Sequence, residues 1–189
     1  MRHIGQWIMI AAVGGMLGNP LAAAAATATA PFTLPEPFVP TDPPNTVPNL
    51  ALRDADDAKT DLAAWRGRYV LLSFWATWCA PCIEEMPSLN TLQNDLGGRK
   101  FQVVPVSVEG RARIAKTTWF MRSYRLDELP VLVLENKSDQ RAFSVRAVPT
   151  TLLIDPEGRE LWRVLGPLDW DNSAVRDVLT HYLDGAREK

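Results

Sequence analysis

Between Tyr69 and Trp75 the chain reads Tyr-Val-Leu-Leu-Ser-Phe-Trp, a nearly unbroken apolar run of strand length, as expected of a strand covered on both faces. Residues 101–108, Phe-Gln-Val-Val-Pro-Val-Ser-Val, predict a second buried strand. Between the two runs the period changes. Cys82, Met86, Leu89, Leu92 and Leu96 recur on one helical stripe, while Glu84, Asn90, Asn94 and Asp95 lie off it. This predicts an amphipathic helix closed by Gly97-Gly98, with Pro87 inside it as a kink.

Further along, residues 114–125 predict a second helix carrying Phe120, Met121 and Tyr124. Residues 130–134 read as a short strand, and Asp139–Phe143 as a helical turn. Thr150–Ile154 and residues 160–165 form a hairpin across the turn Asp155-Pro-Glu-Gly158. Residues 172–183 close the chain as a helix with Val175, Val178, Leu179 and Tyr182 on one face. Upstream, residues 49–52 and 60–62 flank the turn-rich 54–58 and predict an N-terminal β-hairpin, followed by a turn at Trp65-Arg66-Gly67. The order predicts an α/β fold: a mixed sheet with helices on both faces.

Before Pro48 the pattern stops. Seven prolines between Pro31 and Pro48 leave no room for a helix or an inner strand, so residues 27–48 read as an extended, polyproline-like linker. Residues 1–26 combine a basic start at Arg2, an apolar run at 8–17 and a small-residue cleavage region of alanines at 22–26. They read as a secretory signal, with an uncleaved N-terminal anchor as the alternative and the sole membrane contact expected. The domain division is therefore 1–26 leader or anchor, 27–48 linker and 49–189 folded domain. Export implies a periplasmic or other extracytoplasmic setting, where thiol pairs meet oxidising conditions.

Composition narrows the function. With 189 residues, 47% hydrophobic and 22% charged, the chain suits one folded domain with its own core rather than two. A formal charge of −2 and the lack of a Lys/Arg cluster along the sequence argue against nucleic acid as a partner.

The cysteines are Cys79 and Cys82, at the junction between the first buried strand and the first helix. A disulfide across so short a loop constrains the unfolded chain little, which disfavours a structural staple. Only His3 and His181 could join the thiols at a zinc ion, and both are far away in sequence, so no metal site is expected. A helix beginning at or just before Cys79 would set its sulfur among unpaired N–H groups at the positive end of the helix dipole, where a thiolate is stabilised. Cys82, on the buried stripe, would sit shielded beneath it. Pro81 is tolerated in the first turn, where its missing N–H would have had no partner.

Trp75-Ala-Thr-Trp-Cys-Ala-Pro-Cys82, Pro87, and Val148-Pro-Thr-Thr151 ahead of a buried strand together resemble the thioredoxin superfamily over residues 48–185. The leader, the added N-terminal segment and the long stretch between 109 and 148 make the TlpA/ResA-like branch, with its CcmG/DsbE relatives, the nearer resemblance. It implies a thioredoxin-like mixed sheet flanked by helices, with an N-terminal β-hairpin addition. It further implies that Cys79 attacks and Cys82 resolves, with no cofactor beyond the Cys79–Cys82 disulfide. Substrate would lie against Trp78, Pro81, Val148, a cis Pro149 and Thr150, above a floor containing Trp75. Ala80-Pro81 is close to the Gly-Pro of reducing thioredoxins, so a protein-disulfide reductase is expected. The implied partners are client disulfides, those of apocytochrome c or of copper-site assembly proteins, and a membrane electron donor of the DsbD/CcdA type.

Ser73 stands where thioredoxins carry a buried aspartate, which leaves the proton acceptor of Cys82 unassigned; Glu85 reads as a solvated helix residue. Trp119, Trp162 and Trp170 read as core. Two other readings stay open: a peroxiredoxin-like thiol peroxidase, and a non-catalytic, client-binding or copper-handling chaperone on the same fold.

Overall fold

A computed structural model describes residues 32–185, of which 33–185 form one compact unit. The leader at 1–26, the start of the linker and His3 lie outside the described residues. Eight strands share a sheet: β1 Val39–Thr46, β2 Ala51–Arg53, β3 Lys59–Asp61, β4 Tyr69–Trp75, β5 Phe101–Ser107, β6 Val133–Leu134, β7 Thr150–Ile154 and β8 Arg159–Leu165. The helices are α1 Ala80–Leu96, α2 Ile114–Ser123 and α3 Ser173–Gly185. The spatial order is β1-β8-β7-β4-β5-β6-β2-β3. No helix among the described residues is long and apolar enough to cross a membrane.

The central strand is β4, parallel to β5 from Tyr69↔Phe101 to Trp75↔Ser107 and antiparallel to β7 from Val70↔Ile154 to Phe74↔Thr150. Strand alternation sends Leu71 and Trp75 to one face and Val70, Leu72 and Phe74 to the other. The first face meets Met86, Leu89 and Leu92 of α1, Phe120 and Met121 of α2, and Val175, Val178 and Leu179 of α3. The second is covered by Leu50, Leu62, Phe143 and Val145, which come from loops and short 3₁₀ turns. The buried residues of all three helices thus join one cluster, where the sequence predicted helices on both faces. Short apolar loop residues seal a sheet face as well as a helix does when they fill its grooves.

The N-terminal hairpin forms as expected, closed by Asp54, whose Oδ1 accepts the N–H groups of Asp56 and Ala58. Residues 130–134 reduce to the short β6, since Pro130 has no N–H to give a ladder. Helix α1 runs through Pro87 to the Gly97 cap.

Two further expectations are corrected. Part of the linker, β1, pairs with β8 at Val39↔Arg163, Pro40↔Trp162, Asn45↔Glu160 and Thr46↔Arg159, with a bulge between Pro40 and Asn45. An edge strand needs hydrogen bonds on one side only, and the bulge takes up Pro43 and Pro44. Just before it, Phe38 packs edge-on against Trp162, with ring centroids 4.8 Å apart. Trp119, expected in the core, is 67% exposed, because α2 turns Thr117, Phe120 and Met121 inward instead. Trp162 and Trp170 are buried as expected.

Candidate active site

The chain leaves β4 at Trp75, turns through Ala76-Thr77-Trp78 and enters α1 with Cys79 as the capping residue. Cys79 has extended backbone angles, and its sulfur accepts the Cys82 N–H at 3.3 Å, an orphan donor of the helix start. Its backbone carbonyl accepts the N–H of Ile83 at 3.1 Å. Pro81 falls in the first turn, as its chemistry predicts. Cys79 and Cys82 are joined in a disulfide, with their Cα atoms 5.3 Å apart. Both sulfur residues are buried, Cys82 completely.

Across from the bridge, the Val148–Pro149 peptide is cis. Cys79 Sγ lies 3.6 Å from the Val148 carbonyl oxygen, so the loop before β7 meets the sulfur closest to solvent. Trp78 is 66% exposed beside the bridge and Pro81 is also exposed. Thr150 is placed differently: its side chain is buried and its hydroxyl donates to the Ala147 carbonyl at 2.8 Å, bracing the loop from below. Trp75 lies underneath, fully covered, its ring 5.0 Å from that of Phe120.

Glu85 departs most from the sequence reading. It is 4% exposed, not solvated, one turn below Cys82. Its Oε2 accepts the N–H of Leu168 at 3.1 Å and the indole N–H of Trp170 at 3.3 Å, while Oε1 has no partner. Burial raises the carboxyl to about 7, against the smaller lowering effects of Leu168, Trp170 and Ser73. Ser73 acts as a nearby hydroxyl dipole without closing a hydrogen bond, since its Oγ is also unpartnered. The site thus holds a buried acid that titrates near neutrality, entering from α1 rather than from β4. The sequence signal was weak: a Glu on the edge of the apolar stripe looks like any helix surface residue until the segment before α3 folds over it.

Glu109 was not anticipated. From the loop after β5, its Oε2 accepts both the N–H and the hydroxyl of Thr77, and Lys116 lies 3.6 Å from its Oε1. Burial pushes this carboxyl up, but the two Thr77 bonds and the Lys116 charge outweigh it and hold the group below its ordinary value. Thr77 and Glu109 are 32 residues apart, so no local pattern links them.

Among the described residues no three His, Cys, Asp or Glu side chains cluster as a metal site would require. A bridged cysteine pair at a helix start, opposite a carbonyl lying against its outer sulfur, is suited to thiol–disulfide exchange.

A sequence profile of the AhpC/TSA family matches residues 43–159. The chain is 34% identical over 132 residues to the thiol-disulfide oxidoreductase ResA of Bacillus subtilis (strain 168), a match spanning 70% of this chain and 71% of ResA. It is also 34% identical over 112 residues to the thioredoxin-like protein YneN of the same organism, covering 59% of this chain and 64% of YneN. Among solved structures, a Chlorobium tepidum protein assigned as a thiol:disulfide interchange protein DsbE superposes with a TM-score of 0.65 at 28% identity, over 74% of this chain and 96% of that one.

Proposed function

Because the chain belongs to the AhpC/TSA family of thioredoxin-fold proteins and is a thiol-disulfide oxidoreductase with a redox-active disulfide, we propose that it reduces client disulfides outside the cytoplasm through Cys79 and Cys82. The observation that carries this reading is the Cys79–Cys82 bridge at the start of α1, with the Val148 carbonyl against its outer sulfur.

In the reduced form the Cys79 thiolate, favoured by the N–H groups and dipole of α1, attacks one sulfur of a client disulfide. A mixed disulfide forms and the second client sulfur leaves as a thiolate. Cys82 then attacks Cys79 Sγ, expelling the first client sulfur and closing the observed bridge. Two electrons pass from the pair to the client. Glu85, buried one turn beneath Cys82, takes the Cys82 proton and fills the role that Ser73 cannot. Trp78, Pro81 and the Val148–Pro149 backbone line the client's approach.

The leader and the oxidising compartment it implies support a periplasmic or extracytoplasmic site of action, with recharging by a membrane donor of the DsbD/CcdA type. The clients proposed are apocytochrome c, in cytochrome c biogenesis, and copper-site assembly proteins. Ala80-Pro81 supports the reducing direction. The family's name keeps a thiol peroxidase in view, but a peroxidatic cysteine does not need an adjacent resolving partner three residues away.

The test is a Cys82→Ser chain expressed with its leader. It should accumulate mixed disulfides through Cys79 with extracytoplasmic proteins, absent in Cys79→Ser. Hydrogen peroxide turnover by the reduced wild-type chain without disulfide reductase activity would sink the reading in favour of the peroxidase.

A further inference from the structure

Contrary to the expectation of no Lys/Arg cluster along the sequence, five basic residues stand close together in the chain without forming an unbroken run. Residues 110–126 hold Arg111, Arg113, Lys116, Arg122 and Arg125 and no acid, whereas the remainder carries 15 basic against 22 acidic residues. All five are exposed, and Arg113, Arg122 and Arg125 have no ion-pair partner among the described residues. Where α2 faces the β2–β3 turn, two of the five, Arg111 and Arg122, line a groove of about 980 Å³ together with Ala55, Ile114, Ala115 and Trp119. Its one acidic lining residue, Asp57, accepts the Arg111 Nε–H at 2.7 and 3.0 Å and also pairs with Nη2, which fixes that side chain in place.

We infer that this groove docks a peptide segment of a partner protein that carries carboxylates around an apolar anchor. Trp119, two-thirds exposed, lines the groove together with the apolar side chains of Ala55, Ala112, Ile114 and Ala115. An exposed tryptophan flanked by arginines is the composition that dominates binding at protein interfaces. The cations select the partner's charge: a carboxylate near Arg122 gains a pair that none of the described residues supplies, and the acidic remainder of the chain repels wrong poses. A peptide fits better than an anionic bilayer, because the acidic turn Asp54-Ala-Asp-Asp57 supplies one side of the groove and would repel a lipid surface of like charge, whereas a peptide can set its carboxylates on the α2 side alone. The groove also connects to the catalytic loop. Phe120 on α2 packs against Trp75, and Lys116 reaches Glu109, which holds Thr77. A partner seated there is held on the element that braces Cys79. The inference does not depend on the thiol chemistry.

The test is calorimetric titration of the oxidised full chain with a blocked peptide of glutamates around two central leucines, with its lysine counterpart, and with phosphatidylglycerol vesicles. The glutamate peptide should bind, and weaken several-fold between about 0.02 and 0.5 M salt. Trp119→Ala and Arg122→Glu should each weaken it about tenfold or more, with insulin-reducing activity retained as the check of folding. A Cys79→Ser/Cys82→Ser chain should bind it as the parent does, whatever becomes of the reductase activity. Lack of binding, equal binding of the lysine peptide, or indifference to both groove variants would overturn the inference. So would Trp119-dependent binding to vesicles alone, which would make this a membrane face, or Arg122-dependent self-association, which would make it an interface between copies.

Discussion

Glu109 Oε2 accepts the backbone N–H of Thr77 at 2.7 Å and its hydroxyl at 2.6 Å, two residues ahead of Cys79. Through these bonds the loop after β5 holds the turn that delivers Cys79 to the start of α1, and Lys116 steadies the brace from α2. Glu109→Ala leaves a partly buried N–H and hydroxyl without acceptors, a loss of about 1–3 kcal/mol. Denaturant unfolding should show that loss, and the alkylation pKa of Cys79 should shift with it as the turn loosens. Glu109→Gln keeps an acceptor and should recover most of the stability. Unchanged stability and Cys79 reactivity in Glu109→Ala would remove the brace from the mechanism.

In the reduced protein, Cys79 should titrate below the ordinary thiol value of roughly 8.5, because its sulfur sits among the free N–H groups of α1. Cys82, fully buried, should react far more slowly. Iodoacetamide labelling against pH, read by peptide mass spectrometry, measures both. An ordinary thiol value for Cys79 would contradict the capping geometry.

Glu85 predicts a pH dependence of definite sign. Its folded value of about 7 lies above the ordinary 4.5, so between those values the folded state binds more protons than the unfolded one. Its contribution is fully present below 4.5 and lost as pH rises through 7, a fall of roughly 3 kcal/mol. Glu85→Gln keeps an oxygen for Leu168 and Trp170 and should abolish that fall, gaining stability over the parent at pH 8. Unfolding free energies of the oxidised proteins at pH 4.5 and pH 8 decide it. The same variant should slow resolution of the mixed disulfide at neutral pH, since the Cys82 proton loses its acceptor.

Phe38 closes the outer face of Trp162 from just before β1. Phe38→Ala should cost roughly 3 kcal/mol, within the range for deleting a buried aromatic ring. The urea midpoint should fall with little change in disulfide reductase activity, because the edge strand lies beyond β8 and β7 from the CxxC. A wild-type midpoint would show that β1 does not hold to the sheet in solution.

Much of this protein is local in origin. The apolar runs of β4, β5 and β7 and the stripe of α1 are visible because burial on two faces or on one imposes its own period on neighbouring residues. Cys79, Cys82 and Pro81 could be placed for a similar reason, since a helix start has a residue pattern of its own. The proline-rich segment misled, because proline forbids an inner strand but not an edge, and whether an edge is vacant depends on β8, more than a hundred residues away. Trp119 misled because hydrophobicity alone does not say which side of α2 meets the core.

By itself the sequence determined most of the elements and the junction at which the thiol pair sits, consequences of short-range periodicity and capping, while the kind of exchange came from the resemblance that its motifs carry. Only the tertiary structure decided that Glu85 is buried and unsolvated, that Glu109 grips Thr77, that Val148 lies against the Cys79 sulfur, and that Arg111 and Arg122 line one groove with Trp119. Those facts depend on which distant segments pack together, and a carboxylate's charge state is set by what covers it rather than by its neighbours along the chain.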